Sequence, residues 1–189
     1  GGDSVRIVIV GAGKLGYSIA GLLSNEGYEV VMIDQDETKL EAVKNTLDVL
    51  TIRANGASPA TMTDVEVRGA DLLIAVTDSD EVNLLACILA KKHRIRHTIA
   101  RLRDMQFVSE VGDYLKKTFA IDVMLNSEYI TAQEIYRILM TTAALNVEDF
   151  ASGKVRLFET KVRRDSKLAG IPLKDMDMPA AVLAGMIFR

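Results

Sequence analysis

An α/β chain built on a doubly wound parallel sheet of about six strands is expected here, and three observations lead to it. Short β-branched runs alternate with segments of helical apolar spacing from the first residues onward. A glycine fingerprint, Gly11-Ala12-Gly13-Lys14-Leu15-Gly16, stands between the first such run and the first helical segment. The apolar runs are short and continuous, as strands of a parallel sheet buried on both faces should be.

The elements follow in order. Val5 to Val10 is the first strand, and Leu15, Ile19, Leu22 and Leu23 then recur at helical spacing. Val30 to Ile33 is the second strand; Leu40, Val43 and Leu47 mark a helix, and Val49 to Ile52 is the third strand. After Pro59 a short helical segment leads to the fourth strand, Leu72 to Val76. Thr77, Asp78, Ser79 and Asp80 are helix-capping types, and the helix beyond them carries Val82, Leu85, Ala86 and Leu89 on one face. It runs out in Lys91, Lys92, His93 and Arg94, cations that suit the negative end of a helix dipole. Thr98 to Ala100 is the fifth strand, a helix passes through Val108, Val111 and Leu115, and Ile121 to Leu125 is the sixth strand. Right-handed crossovers between such strands cover both faces of the sheet. Residues 5–127 are therefore expected to form a Rossmann-like nucleotide-binding domain.

An amphipathic helix from Glu128 to Thr142, with Ile130, Ile135, Ile138 and Leu139, feeds no further parallel strand and is expected to pack on a partner. Residues 128–150 are read as a linking helix. Ala151, Ser152 and Gly153 make a break, after which Lys154 to Val162 and Ala181 to Phe188 have the character of strands. Residues 151–189 are read as the start of a small α+β subdomain. That unit stops at Arg189 in mid-pattern, so the chain is expected to be part of a longer protein. Gly1, Gly2, Asp3 and Ser4 are set aside as a processing remnant, with the native start expected near Val5.

Composition excludes several classes. Asp and Glu number 26 against 23 Lys and Arg in 189 residues, which gives no broad basic footprint for nucleic acid or a membrane surface. No apolar run approaches the roughly eighteen residues that would cross a bilayer, and no secretory pattern opens the chain, so a cytoplasmic protein without membrane insertion is expected. The single cysteine, Cys87, lies in an apolar pattern and is expected in the core. His93 and His97 have no metal-ligand spacing, so no metal site is expected.

The candidate site begins with the glycine loop. Gly11 permits a tight turn, Gly13 lets backbone approach a pyrophosphate, and Gly16 permits close helix-to-strand packing. The helix N-terminus beyond attracts an anion. Lys14 can neutralise a phosphate, and Leu15 belongs to the same loop. Asp34 ends the second strand about twenty residues on, where a carboxylate accepts hydrogen bonds from both adenosine ribose hydroxyls and repels a 2′-phosphate. NAD, or an adenine nucleotide without that phosphate, is thus preferred over NADP, and Gln35 lies next to Asp34. At the end of the third strand, Asn55 either bonds the base edge or, with Gly56, simply forms a turn. Thr77 and Asp78 lie at the end of the fourth strand, where the strand order reverses, and either face the nucleotide or cap the next helix. Arg101 and Arg103, after the fifth strand, reach a phosphate or form surface salt bridges. No catalytic residue is assigned.

These segments resemble the KTN/RCK domains of Trk-type potassium transporters and ligand-gated potassium channels. The stretches that carry the likeness are VIVGAGKLGYSIAGLLSNEGYEVVMIDQD at 8–36, LLIAVTDSDEVNLLACILAK at 72–91 with its Thr77, Asp78, Asp80 and Asn83, ARLRD at 100–104, and DVMLNSEYITAQEI at 122–135. SKLAGIPLKDMDMPAAVLAGMIFR at 166–189 is similar to the opening half of the family's C-terminal regulatory subdomain. The resemblance implies a module that binds NAD or NADH, or alternatively ATP and ADP, and gates an associated membrane potassium-transporting subunit. It also implies a homodimer through the helix that begins near Glu128, assembly into higher homo-oligomers, and a peripheral position at the inner face of the membrane. Lys14 stands where many members have arginine, and Ala54-Asn55-Gly56 where Gly-Asp-Ala is common. The competing class is an NAD-dependent oxidoreductase, since a fold alone does not decide function. A dehydrogenase would need a titrating group near the nicotinamide, and the segment after the sheet contains no histidine.

Overall fold

The computed structural model describes residues 5–140, 144–150, 154–176 and 182–184. Six strands form one wholly parallel sheet: β1 (Arg6–Val10), β2 (Glu29–Asp34), β3 (Leu50–Arg53), β4 (Leu72–Ala75), β5 (His97–Arg101) and β6 (Val123–Leu125). Their order across the sheet is β3-β2-β1-β4-β5-β6. The chain winds outward from β1 through β2 to β3, then returns to place β4 on the other flank of β1. This reversal makes the doubly wound arrangement, and it opens a crevice at the carboxyl ends of β1 and β4.

The period of two along each strand divides the core into two layers. Val8 and Val10 of β1 point into one, and Ile7 and Ile9 into the other. Helices α1 (Lys14–Asn25) and α2 (Glu37–Lys44) cover the second layer with Ala20, Leu40 and Val43. The first layer is covered by α3 (Pro59–Thr63), α4 (Asp80–Lys92), α5 (Met105–Ser109) and α6 (Gly112–Phe119), through Met62, Ala86, Cys87, Ala90, Phe107 and Leu115. Burial pushes the Cys87 thiol up to about 12, as the apolar pattern around it leads one to expect. Sandwiched strands need no polar face, which accounts for the unbroken apolar runs of β1 and β2.

Three local features differ from the pattern in the sequence. The helix expected through Val108, Val111 and Leu115 is two helices, with the division just before Gly112. A Cβ on Gly112 would stand 3.4 Å from the Phe107 carbonyl oxygen and 3.6 Å from the Met124 methyl, so the chain packs closely there at a residue of poor helix propensity. The cationic end of α4 does more than oppose the helix dipole. Lys91 Nζ lies 2.6 Å from Asp122 Oδ2, which also accepts from the Thr98 amide at 2.7 Å. Beyond it, the Arg94 amide donates to Lys91 and the Ile95 amide to Ala90, each at 3.0 Å, with Arg94 in the left-handed conformation at φ 67°. This is the Schellman closure that a glycine usually makes.

The third difference lies beyond the sheet. Helix α7 (Ser127–Met140) begins as expected, but the segment 128–150 is not helical throughout: Ala144–Phe150 is strand β7, paired antiparallel with β8 (Val155–Thr160). Leu145 and Val147 alternate with Asn146 and Glu148, the period-two signal of a strand. The described chain divides into two compact units, Gly1–Ala132 and Gln133–Arg189, so the division falls within α7. In the second unit a short 3-10 turn, Leu173–Asp175, follows the β7–β8 pair. Of the expected strand at Ala181 to Phe188, residues 182–184 have no regular structure and the rest lies outside the described residues. No helix among the described residues is long and apolar enough to cross a membrane.

Burial alone would push the Asp122 carboxyl up, but the Lys91 ammonium and the Thr98 amide and hydroxyl outweigh it and hold it below the usual carboxylate range. A carboxyl whose pKa falls on folding contributes stability above its unfolded value near 4, and that contribution is lost as pH falls through the folded value. Asp122→Asn should therefore destabilise the protein at pH 7 by on the order of 1 kcal/mol, a size set by solvent screening. Urea denaturation followed from pH 7 downward should show the gap between the two proteins closing below about pH 4.

Candidate functional site

The crevice at the carboxyl ends of β1 and β4 is a cleft of about 460 Å³. Its floor is set by how closely backbone approaches backbone. Gly11 has φ 109°, and a Cβ on it would stand 2.9 Å from the Thr77 amide nitrogen. A Cβ on Gly16 would stand 1.9 Å from the Gly11 carbonyl oxygen, so α1 can begin this close to the loop only with glycine there. Gly56 plays a comparable part on the other wall, where a Cβ would meet Cγ1 of buried Val10 at 2.1 Å. Gly13 is different: nothing within 4 Å would oppose a Cβ, and its open side belongs to the cleft.

Gly13 is also the N-cap of α1, with no side-chain cap and no acidic residue in the first turn. The amides of the first turn therefore have no intrahelical acceptor, and the positive end of a twelve-residue helix opens into the cleft. Asp34 closes the loop from the opposite side. Its Oδ2 accepts from the Ala12 amide at 2.7 Å and its Oδ1 from the Asp36 amide at 2.9 Å. A carboxylate has about four acceptor sites, so about two remain for a ligand after these bonds. The loop-holding role of Asp34 is invisible in the sequence because it depends on the register of β1 against β2, which pairs Val10 with Ile33.

Of the residues singled out in the sequence, Gly11, Gly13, Lys14, Leu15, Asp34, Gln35, Asn55, Gly56, Thr77, Asp78 and Arg101 all line the cleft. Gly16 does not; it is buried beneath the loop. Asn55 makes the turn that Asn-Gly signals, its Oδ1 accepting from the Ala57 amide at 2.9 Å. Ser79, not Thr77 or Asp78, caps α4, with its Oγ accepting from the Val82 amide at 3.2 Å. The Thr77 amide donates instead to Asn83 Oδ1 at 2.9 Å, and its hydroxyl to the same atom at 2.7 Å.

Asn83 is fully buried and ties the ends of two strands together. Its Nδ2 donates to the Thr77 carbonyl at 3.1 Å and to the Arg101 carbonyl at 2.9 Å, so every polar atom of the amide is used. Asp80, one turn earlier, accepts from the Arg103 amide at 2.9 Å and the Asp104 amide at 2.8 Å. The two residues fix the β5–α5 loop against the first turn of α4.

The guanidinium of Arg101 is already engaged. Its Nε donates to Ser127 Oγ at 2.9 Å and its Nη2 to Glu128 Oε1, leaving the side chain 14% exposed. The Ser127 hydroxyl, the Glu128 amide and Arg101 together hold the Glu128 carboxyl below the usual range against its slight burial. Arg103 is freer: its side chain is 54% exposed, with Nε 3.9 Å from Glu128. Lys39 also lines the cleft and is absent from the sequence-based set. It sits in the first turn of α2, and side chains in a helix lean toward the N-terminus, which brings it over the end of β2. The only sequence signal is that a lysine stands at the positive end of a helix.

A six-stranded parallel sheet in this order, with a glycine loop at its switch point and an acidic residue ending β2, defines a Rossmann-like dinucleotide-binding fold. The chain belongs to the TrkA-N domain family, whose pattern matches residues 7–126. The likeness to KTN/RCK domains is thereby borne out. Among curated relatives, the chain is 37% identical over 194 aligned positions to "Trk system potassium uptake protein trkA homolog 1" of Methanosarcina mazei, covering 98% of this chain and 46% of that protein. It thus spans less than half the length of that relative. Among solved structures, the TrkA-N domain of inner membrane protein ybaL from Escherichia coli is 17% identical with a TM-score of 0.62, covering 74% of this chain and 99% of the other. The GsuK channel superposes in a structure bound to ADP (18% identical, TM-score 0.58, 73% and 34% covered) and in one bound to NAD (14%, 0.55, 66% and 22%). Identities this low show the shared fold alone.

Asn83→Ala would leave the Thr77 amide and carbonyl and the Arg101 carbonyl without their partner in a buried setting. Each such group costs about 1–3 kcal/mol, and partial relaxation brings the expected loss to about 2–4 kcal/mol. Chemical denaturation of the variant checks this.

Proposed function

We propose that this chain is the nucleotide-binding regulatory module of a Trk-type potassium uptake system, taking NAD or NADH, or alternatively ADP or ATP, as a signal. The observation that carries this reading is the cleft itself. The uncapped N-terminus of α1 and the partly satisfied carboxylate of Asp34 both border it, the anion site and the ribose acceptor of a dinucleotide-binding fold. The ligands named for the GsuK structures and the transport role named for the relative agree with it.

In this reading the diphosphate lies over Gly13 and the first turn of α1, with Lys14 as a point charge. Asp34 accepts the ribose hydroxyls with its remaining lone pairs. Asn55, whose Oδ1 is committed to its turn, offers its amide nitrogen to an acceptor on the adenine edge. Thr77 and Asp78 border the second half of the ligand. Among the described residues, those lining the cleft include no histidine or tyrosine, and its two lysines, Lys14 and Lys39, are read as phosphate partners and not as proton carriers.

Occupancy has a route outward. Arg101 lines the cleft, its carbonyl is held by Asn83, and its guanidinium grips Ser127 and Glu128 at the start of α7. Ile130 and Ile135 of α7 are 52% and 53% exposed, which supports a homodimer through this helix and further assembly beneath a membrane potassium-transporting subunit. A ligand that binds one arrangement of such an assembly better than another shifts its population by that difference in affinity. The module would work in the cytoplasm, peripheral to the membrane.

Isothermal titration with NAD, NADH, ADP and ATP, with the oligomeric mass followed by light scattering, tests the reading; silence toward all four would refute it. Asp34→Ala should weaken binding by about 1.5–3 kcal/mol, roughly 10- to 150-fold, the range for hydrogen bonds to a charged group. Unchanged affinity would remove Asp34 from the ribose site.

A further inference from the structure

The ribose end of the cleft carries a charge that the Asp34 rule does not include. Lys39 lines the same cleft as Asp34, from the first turn of α2. A cation there faces the positive end of its own helix, an unfavourable placement. Its nearest anion gives it little: Lys39 Nζ stands 4.0 Å from Asp36 Oδ2, and the side chain remains 51% exposed. The other oxygen of Asp36 is committed to capping the helix, accepting from the Thr38 and Lys39 amides at 3.0 and 3.4 Å. The neighbouring cation, Arg53, is bound to Glu37 at 2.6 Å across the mouth of the strand.

Asp34 is likewise less repulsive than an isolated carboxylate. Both of its oxygens accept from backbone amides, and those dipoles draw down its potential toward an incoming anion. The cleft that Asp34 borders therefore also carries an ammonium on a long flexible stem. Such an ammonium can follow a phosphate as a mobile point charge.

We propose that Lys39 is a specificity-determining residue of the cleft, through which it admits an adenosine ribose bearing a 2′-phosphate as well as one with a free diol. This rests on the proposed nucleotide function and deepens it: the module would answer to the phosphorylated dinucleotide pool as well as the unphosphorylated one. Lys39 pairs with the 2′-phosphate while Asp34 keeps the 3′-hydroxyl.

Titration of the unaltered chain and of Lys39→Ala with NAD and NADP tests this. The unaltered chain should bind both. Lys39→Ala should lose about tenfold or more in NADP affinity with little change for NAD, and the steeper salt dependence of NADP binding should flatten in the variant. The pair AMP and adenosine 2′,5′-bisphosphate should repeat the pattern without the nicotinamide half. Equal losses for NAD and NADP would make Lys39 a general contact and overturn the proposal, as would an unaltered chain that binds NAD but not NADP. Either outcome leaves the nucleotide function standing. Failure to bind any of these ligands overturns the proposal, and silence toward NADH, ADP and ATP as well would remove that function with it.

Discussion

The contact on which this architecture turns is the one between the glycine loop after β1 and the Val76–Thr77 peptide just beyond β4. With a Cβ on Gly11 the loop would collide with the Thr77 amide, and with one on Gly16 it would collide with itself. Because both are glycine, backbone touches backbone at the switch point, and the start of α1 is drawn down to the rim of the sheet. The position of the helix dipole, the depth of the cleft and the reach of Asp34 to Ala12 all follow from that approach. A single methyl at position 16 would move all three together, which no substitution on the outer surface of α1 could do.

Around that contact the polar groups form a chain of commitments. Asp34 holds the loop, Asn83 holds Thr77 and the end of β5, Asp80 holds the turn after β5, and Arg101 holds the start of α7. Hydrogen bonds of this kind are worth little net when both partners can return to water, and much when one is stranded in the interior. The cleft is therefore tied down by buried hydrogen bonds on the side of β4 and β5, where Asn83 is fully buried, while Lys39 and Gln35 on the side of α2 are exposed.

Much of this was legible in the residues. The order of strands and helices follows from apolar periodicity, and the glycine fingerprint has meaning because it falls between a strand and a helix. The cleft gathers all but one of the residues the sequence points to, and the exception, Gly16, lies just beneath it. What escaped is what depends on long-range register or on a side chain with two calls on it. Thr77 and Ser79 are both good caps by composition, and only the position of Asn83 decides which is used. Arg101 looks like a phosphate ligand until Glu128, twenty-seven positions away, is found on its guanidinium. The alternation at Leu145–Glu148 runs for only four residues, and without the β8 partner it does not separate the strand at Ala144–Phe150 from a helical tail.

Cys87 is the only cysteine of the chain, and its burial has a consequence for what the module can sense. With the thiol pushed up to about 12 by burial, little of it is the reactive anion at neutral pH, so this sulfur is a poor nucleophile toward peroxide or a disulfide. A nicotinamide dinucleotide in the cleft would present the oxidation state of its own ring, with this thiol standing apart from it.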